Sequence, residues 1–132
     1  MRRLALLLLV ALAAGCGTGS DRPEVDVSVE IPDKNGSGIY GTADVTRISD
    51  TRSKIDVSMG GALPEGDVPA YVITGGCSSF EPQVAAELEP VLGGRSSTDV
   101  EIPIADITTG SYAVAVGSTD PMKYVACGDL IP

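Results

Sequence analysis

Residues 25–31 read VDVSVEI, in which an apolar side chain occupies every second position. Successive side chains of a β-strand point to opposite faces, so this alternation predicts a strand with one buried and one solvated face. Six further short segments have the composition of strands and are separated by turn-forming residues: IYGTADVTRI, KIDVSM, AYVIT, TDVEIPI, SYAVAV and KYVAC. This succession of short strands and turns predicts an all-β protein, an antiparallel Greek-key sandwich or barrel.

One segment has the composition of a helix. PQVAAELE lies between Pro82 and Pro90, and proline suits a first helical turn but ends a helix that comes before it. We therefore expect at most one short helix, of about two turns. Pro103, inside TDVEIPI, cannot donate a ladder hydrogen bond, which predicts an edge or bulge position for it.

The amino terminus has the pattern of an export signal. Arg2 and Arg3 precede an uncharged apolar run from Leu4 to Ala14, which is shorter than the roughly 20 residues that a transmembrane helix needs. The stretch LAAGC, which ends at Cys16, resembles the lipobox of bacterial lipoproteins. This resemblance implies that the chain is cut before Cys16 and that its sulfur carries diacylglycerol. Two or more acyl chains would then anchor the protein stably in a membrane.

The lipobox resemblance divides the chain into a signal peptide at 1–15, a lipidated cysteine and tether at 16–24, and a β-sandwich domain at 25–132. It implies a location at the bacterial cell membrane or outer membrane, with the domain facing the periplasm or the cell exterior. The alternative is an ordinary cleaved signal followed by an unrelated cysteine. Removal of Arg2 and Arg3 takes the net charge from −9 to −11, and so acidic a chain predicts no nucleic-acid partner.

The chain contains three cysteines, and lipidation of Cys16 leaves Cys77 and Cys127 as a pair. Paired cysteines of exported proteins usually form disulfides, because the compartment is oxidising. Reactive thiols are the alternative, but they need a base or cation nearby, and the chain contains no histidine. We expect a Cys77–Cys127 bridge, whose loop of about 50 residues would stabilise the fold by about 4 kcal/mol.

Several segments resemble copper/zinc superoxide dismutases and the bacterial lipoproteins that keep their scaffold. ALPEG before AYVIT, the cysteine in GGCSS, the strand SYAVAVGS and the terminal ACG carry the likeness, which spans Gly41 to Leu130. In that family the two cysteines form an intrasubunit disulfide. The resemblance implies a dismutase-like sandwich, and an immunoglobulin-like one is the alternative from the strand pattern alone.

The residues at the family's metal positions depart from its pattern. Tyr71, Ile73 and Gly117 stand where the enzymes have histidines, and Tyr124 stands where they have a guanidinium near the last cysteine. Dismutation needs a redox metal held by nitrogen ligands, and carboxylates favour hard ions instead. We therefore expect no copper or zinc site of that kind, no dismutase activity and no cofactor.

DKNGSG has oxygen-bearing side chains at alternate positions, Asp33, Asn35 and Ser37, and Asp44 lies at the twelfth position counted from Asp33. This is the spacing of a calcium loop, although both flanks are strands and Asp44 stands in place of the usual glutamate. The alternative is a hairpin turn on Asn35-Gly36, a strong turn dipeptide. We favour the hairpin and keep the four residues as calcium candidates.

No catalytic constellation emerges from the sequence. A serine or cysteine nucleophile would need a base, usually histidine, and the chain has none. The favoured function is a non-enzymatic module, tethered to the membrane, that binds an envelope protein or polymer through loops such as 75–90. The alternative is a carboxylate-based metal-handling protein or a degenerate dismutase-like enzyme.

Overall fold

The structure, a computed structural model, describes residues 25–131. Its eight strands are β1 Val27–Ile31, β2 Ile39–Arg47, β3 Ser53–Gly61, β4 Ala70–Thr74, β5 Val84–Glu87, β6 Arg95–Val100, β7 Tyr112–Val116 and β8 Ala126–Asp129. A helix of one turn, α1 Ile104–Ile107, precedes β7, and a 3₁₀ turn, Pro121–Lys123, precedes β8. Sheet A has the order β1-β2-β3-β6 and sheet B the order β5-β4-β7-β8, and all paired strands are antiparallel.

The two sheets enclose a core made of alternate strand residues. In β1 the side chains of Val27, Val29 and Ile31 are buried and the two residues between them are exposed. The register places Val27 opposite Val45 and Val29 opposite Ala43, so buried side chains of neighbouring strands form rows on one face. The predicted all-β antiparallel sandwich is confirmed.

The connectivity is of the Greek-key kind. β6 lies beside β3, and β7 lies beside β4, although neither pair is consecutive in the chain. The chain reaches these positions by crossing between the sheets after β3, β5 and β6. A strand that returns in this way to pair with an earlier one defines a Greek key.

The strand registers assign every connection to one of the two ends of the sandwich. The entry end, where β1 begins, carries the connections 48–52, 75–83 and 101–111. The far end carries the connections 32–38, 62–69, 88–94 and 117–125. The two sheets agree in this assignment because β8 runs antiparallel to the end of β1, with Asp33 bridged to Ala126.

Main-chain contacts join the two sheets along the β1–β8 seam. The N–H of Cys127 donates to the carbonyl of Pro32 at 3.2 Å, and the N–H of Lys34 donates to the carbonyl of Val125 at 2.9 Å. Gly128 lies directly against the carbonyl of Glu30, which leaves no room for a side chain at that position. The seam therefore fixes β8, and the cysteine within it, to the first hairpin.

The helix predicted between Pro82 and Pro90 is absent, and this prediction was wrong: residues 84–87 form strand β5. The strand pairs with β4, and directly after it the N–H of Leu88 donates to the carbonyl of Ala70 at 3.0 Å. Pairing satisfies the backbone groups and buries Leu88. A helix of two turns has little intrinsic stability, so these tertiary contacts outweigh its propensity.

The predicted strand TDVEIPI ends early. β6 stops at Val100, and Pro103 comes directly before α1 rather than at a strand edge or bulge. The carbonyl of Pro103 accepts a hydrogen bond from the N–H of Ile107, and Ile107 is completely buried. Proline suits the start of a helix, so a helix begins at the last residue of the expected strand, Ile104, and its buried Ile107 anchors the connection.

The predicted strand KYVAC begins late. Lys123 ends the 3₁₀ turn, in which the side chain of Asp120 accepts a hydrogen bond from the N–H of Met122. β8 begins only at Ala126. The capped turn occupies the residues that the apolar pattern assigned to a strand.

The signal peptide at 1–15, Cys16 and the tether at 16–24 lie outside the described residues. Within residues 25–131, no helix has the length and apolar character needed to cross a membrane. The lipid anchor therefore remains a prediction from the sequence.

Candidate functional site

A second, smaller core covers the outer face of sheet B. Alternation sends Ala70 and Val72 into the main core, whereas Ile73 is buried on the opposite face. Ala113, Ala115, Tyr124 and Cys127 pack around Ile73, with Tyr71 and Cys77 at the margin. The loop 75–83 and the segment 117–125 supply Cys77 and Tyr124, and we call these two segments the cap.

The predicted disulfide joins the cap to sheet B. Cys77 and Cys127 are bonded, with their Cα atoms 5.8 Å apart. Beside the bond, the N–H of Cys77 donates to Oδ1 of Asp129 at 2.8 Å. The loop 75–83 leaves the entry end and is drawn back over the sheet by these two links.

Tyr124 is the largest side chain of the small core, and it is 2% exposed. Its hydroxyl is the one buried side-chain polar atom that lacks a hydrogen-bond partner among residues 25–131. Burial, followed by the negative charge of Asp120, raises the pKa of the Tyr124 phenol above its ordinary value of 10.0. The apolar surroundings of the cap thus disfavour charge at this point.

Three residues stand where the dismutase resemblance predicts metal ligands, and none of them offers the imidazole nitrogen that such a copper or zinc site uses. Ile73 is fully buried and offers only hydrocarbon, and Gly117 has no side chain. Tyr71 is half-buried at the margin of the small core. Within the described residues, no group of three or more cysteine, aspartate or glutamate side chains is placed to hold a metal ion. The imidazole chemistry of a dismutase has no counterpart in this donor set.

The calcium candidates are divided between two places. In the β1–β2 connection the amide of Asn35 donates to the carbonyl of Tyr124 at 2.8 Å, and the hydroxyl of Ser37 donates to the carbonyl of Val125. Asp33 accepts a hydrogen bond from a backbone N–H in the same loop. Asp44 lies in β2, five residues beyond Ile39 and therefore about 16 Å along the strand. The structure does not bring the four residues together.

The Asn35-Gly36 dipeptide forms the tight turn of the first hairpin. Both residues have positive φ, 55° and 68°, and the N–H of Ser37 donates to the carbonyl of Lys34 across the turn at 3.1 Å. Asn and Gly are the residues that adopt this conformation most readily. The turn and its contacts with Tyr124 and Val125 bind the first hairpin to the cap.

The outer face of sheet A is polar and concave. Asp44 lies directly opposite Asp56, and Arg95 follows on the next strand in a concavity of about 390 Å³. The hydroxyl of Ser28 donates to Asp44 at 2.7 Å. Sequence reasoning did not find this face, because it depends on the register of four strands. The position of Asp44 between the buried side chains of Ala43 and Val45 was the one signal available.

A groove of about 410 Å³ lies where this face meets the far end. Tyr40, which is 59% exposed, forms one side, and Glu30, Thr42 and Ser58 add polar groups. Gly60 lies opposite Tyr40 and leaves the floor open. We call this concavity the Tyr40 groove. Its volume is within the roughly 300–1,000 Å³ that ligand pockets occupy.

A further cleft of about 330 Å³ opens at the far end, between Leu63–Gly66 and Val91–Gly94. Leu92, at its margin, is largely exposed, and so is Met122 in the segment 117–125. The far end thus combines two concavities with exposed apolar and aromatic side chains. Of the segment 75–90, predicted as a contact surface, residues 75–83 lie at the entry end, 84–87 form β5, and 88–90 lie at the far end.

No family model, curated protein or solved structure matches this chain.

Proposed function

We propose that this protein is a lipid-anchored, non-catalytic binding module of the bacterial cell envelope, built on a dismutase-like β-sandwich without the metal site. Cys16 carries the anchor, and the domain contacts an envelope protein or polymer. The observation that supports a binding role best is the Tyr40 groove, because it joins an exposed aromatic ring to polar groups in a concavity of ligand size.

The small core of sheet B supports the non-catalytic part of this function. Ile73, at a position where the dismutase resemblance predicts a metal ligand, is buried here with Ala113 and Tyr124. Ile73 and Ala113 offer only hydrocarbon, and burial raises the pKa of the Tyr124 phenol, which keeps this hydroxyl in its neutral form. The proposed dismutase-like scaffold thus keeps its disulfide and uses this face for packing.

Photo-cross-linking in the native envelope tests the binding role. A benzoyl-phenylalanine in place of Tyr40 keeps an aromatic ring in the groove, and the same group in place of Met122 provides a control at the same end but outside the groove. We expect a discrete adduct from position 40 that is absent from position 122. Identical adduct patterns, or none from either position, would contradict binding through the groove.

The alternative, a carboxylate-based metal-handling protein, has one observation in its favour: Asp44 and Asp56 lie directly opposite each other on neighbouring strands. Metal analysis of the purified mature protein separates the two functions. A stoichiometric transition metal would favour the alternative. The binding module is expected to contain none and to show no superoxide removal after incubation with copper and zinc.

A further inference from the structure

Exposed apolar side chains lie on every segment of the entry end except the connection that contains α1. Phe80, the only phenylalanine of the chain, is 96% exposed in the loop 75–83. Ile48 in the β2–β3 connection, Val25 before β1 and Ile131 after β8 are each about half exposed. Together they span both sheets, and we call these four residues the entry-end patch.

Exposure of a phenylalanine side chain to water is unfavourable in free energy. Transfer of such a side chain into an apolar environment is favourable by roughly 1.5–3 kcal/mol. Phe80 belongs to neither of the two core clusters. Larger groups of exposed apolar residues on soluble domains mark contacts with proteins or membranes.

The length of chain before β1 restricts what the entry-end patch can meet. Eight residues lie between Cys16 and Val25, and the nine Cα–Cα steps from one to the other allow at most about 30 Å even when fully extended. The far end lies a further strand length away, about 30 Å for the nine residues of β3. An anchor at Cys16 thus holds the entry end, and not the far end, near the lipid.

The charges around the patch are mainly acidic, because Asp26, Glu81, Glu101 and Asp106 lie on entry-end segments in addition to the partners of two arginines. Arg47 and Arg52 flank the turn that contains Ile48, and they pair with Asp50 and Asp99 respectively. Long basic side chains can extend toward headgroups while an apolar neighbour enters the bilayer. Because each arginine already has an acidic partner and the mature chain is strongly acidic, contact with lipid must rest on apolar burial rather than on attraction to anionic headgroups.

We infer that the entry end docks onto the lipid surface that carries the anchor, with Phe80 and Ile48 inserted at the boundary between headgroups and acyl chains. The inference rests on the proposed lipidation of Cys16. The lipid on Cys16 attaches the protein to the membrane, and the entry-end patch fixes the orientation of the domain. The Tyr40 groove and the cleft of the far end are then held away from the membrane, toward a partner.

Tryptophan fluorescence tests this orientation directly, because the chain has no tryptophan of its own. The full lipidated protein is prepared as Phe80→Trp and, as a matched control, as Met122→Trp, since Met122 is comparably exposed at the opposite end. Each is reconstituted into phosphatidylcholine vesicles with or without brominated acyl chains. Vesicle flotation and the mass of the Cys16 peptide are measured on the same samples.

Docking predicts a blue-shifted indole at position 80 that loses about half of its emission to the bromines, as expected for insertion by roughly 5–10 Å. The indole at position 122 should stay unshifted and unquenched. Quenching at 80 should persist in high salt, because the contact is apolar. The double change Phe80→Ser with Ile48→Ser should leave flotation intact. A tryptophan in place of Val25 should be quenched by the bromines when Phe80 and Ile48 are present. It should lose this quenching in the doubly changed protein.

Other outcomes separate the inference from the anchor. Protein that floats with lipidated Cys16 but shows no quenching at position 80, or equal quenching at 80 and 122, overturns the docking and leaves the anchor standing. A blue shift at 80 that rises with protein concentration and is insensitive to bromine assigns the patch to a second copy, and also overturns it. Failure to float, with an unmodified Cys16, overturns the anchor and the docking together.

Discussion

The backbone N–H of Cys77 donates a hydrogen bond of 2.8 Å to Oδ1 of Asp129, two residues beyond the cysteine to which Cys77 is bonded. The loop 75–83 is therefore fastened to β8 at two adjacent points, by the disulfide and by this hydrogen bond. β8 is itself joined to the first hairpin through the β1–β8 seam. The disulfide thus holds together segments that lie far apart in the sequence.

Replacement of both cysteines, Cys77→Ala with Cys127→Ala, should lower the free energy of unfolding by about 4 kcal/mol, because the bond closes a loop of 50 residues in the unfolded chain. Urea denaturation of the variant and of the oxidised protein measures the difference. Reduction of the native protein should give a similar loss. Equal stabilities with and without the bond would show that the unfolded chain is not restrained as expected.

The negative charge of Asp129 and its ability to accept a hydrogen bond should each contribute to the attachment of the loop 75–83. Asp129→Asn keeps an acceptor without charge and should cost about 1 kcal/mol, whereas Asp129→Ala removes the acceptor and should cost about 2 kcal/mol. Glu65→Gln, in an exposed loop of the far end, is the control and should be neutral. In the background without the disulfide, the cost of Asp129→Ala should fall, because the loop then separates from β8. An unchanged cost would contradict the coupling.

Strict alternation predicted the first strand, and strand-like composition between turn residues predicted the other six, although the bounds of β6 and β8 were misplaced. β5 was the strand that sequence reasoning missed. Its four residues, Val84–Glu87, are mostly exposed and lack alternation. The pairing with β4 that makes this segment a strand involves residues about 15 positions earlier in the chain, and local propensity carries no information about it.

The candidate site, like the strands, was predicted from the sequence only in part. Cysteine counting found the disulfide, because the number of possible pairs was small. The Tyr40 groove and the Asp44–Asp56 pair were not found, since both depend on which residues lie opposite each other on neighbouring strands. The entry-end patch also needed the topology, because its four residues lie on four separate segments.

Gly41 is a position where a close approach of two strands requires glycine. A Cβ at Gly41 would collide with the carbonyl oxygen of Ser58 and lie within 2.8 Å of the Cα of Met59. Gly41→Ala should therefore lower stability by about 3 kcal/mol, since backbone cannot move aside as a side chain does. Gly60→Ala is the matched variant, because its nearest neighbour would be 4.0 Å away.

Gly60→Ala should be neutral or raise stability by roughly 0.5 kcal/mol, as alanine loses less chain entropy than glycine in a strand. Thermal denaturation of both variants measures the contrast. Similar effects of the two changes would mean that β2 and β3 are not as closely paired at Gly41 as the structure indicates.

Tyr124→Phe tests the hydroxyl buried under the cap. The native protein bears the desolvation cost of a hydroxyl that has no partner among the described residues, and phenylalanine keeps the ring without it. We expect the variant to be more stable by about 1 kcal/mol. Tyr40→Phe, at an exposed ring, is the control and should change little. A loss of stability in Tyr124→Phe would reveal a hydrogen bond to this hydroxyl in solution.

The same variant should respond differently to alkali. Burial, and then Asp120, raise the pKa of Tyr124 in the folded protein above 10.0, the ordinary value that the unfolded chain retains. Below that pH the phenol is neutral in both states. As the pH rises beyond 10.0 the unfolded state ionises first, so the native protein loses stability until the folded pKa is passed. Tyr124→Phe lacks this loss, and its advantage in urea denaturation should therefore be larger at pH 11 than at pH 8. A constant difference between the two proteins across this interval would show that the phenol ionises equally well in the folded state.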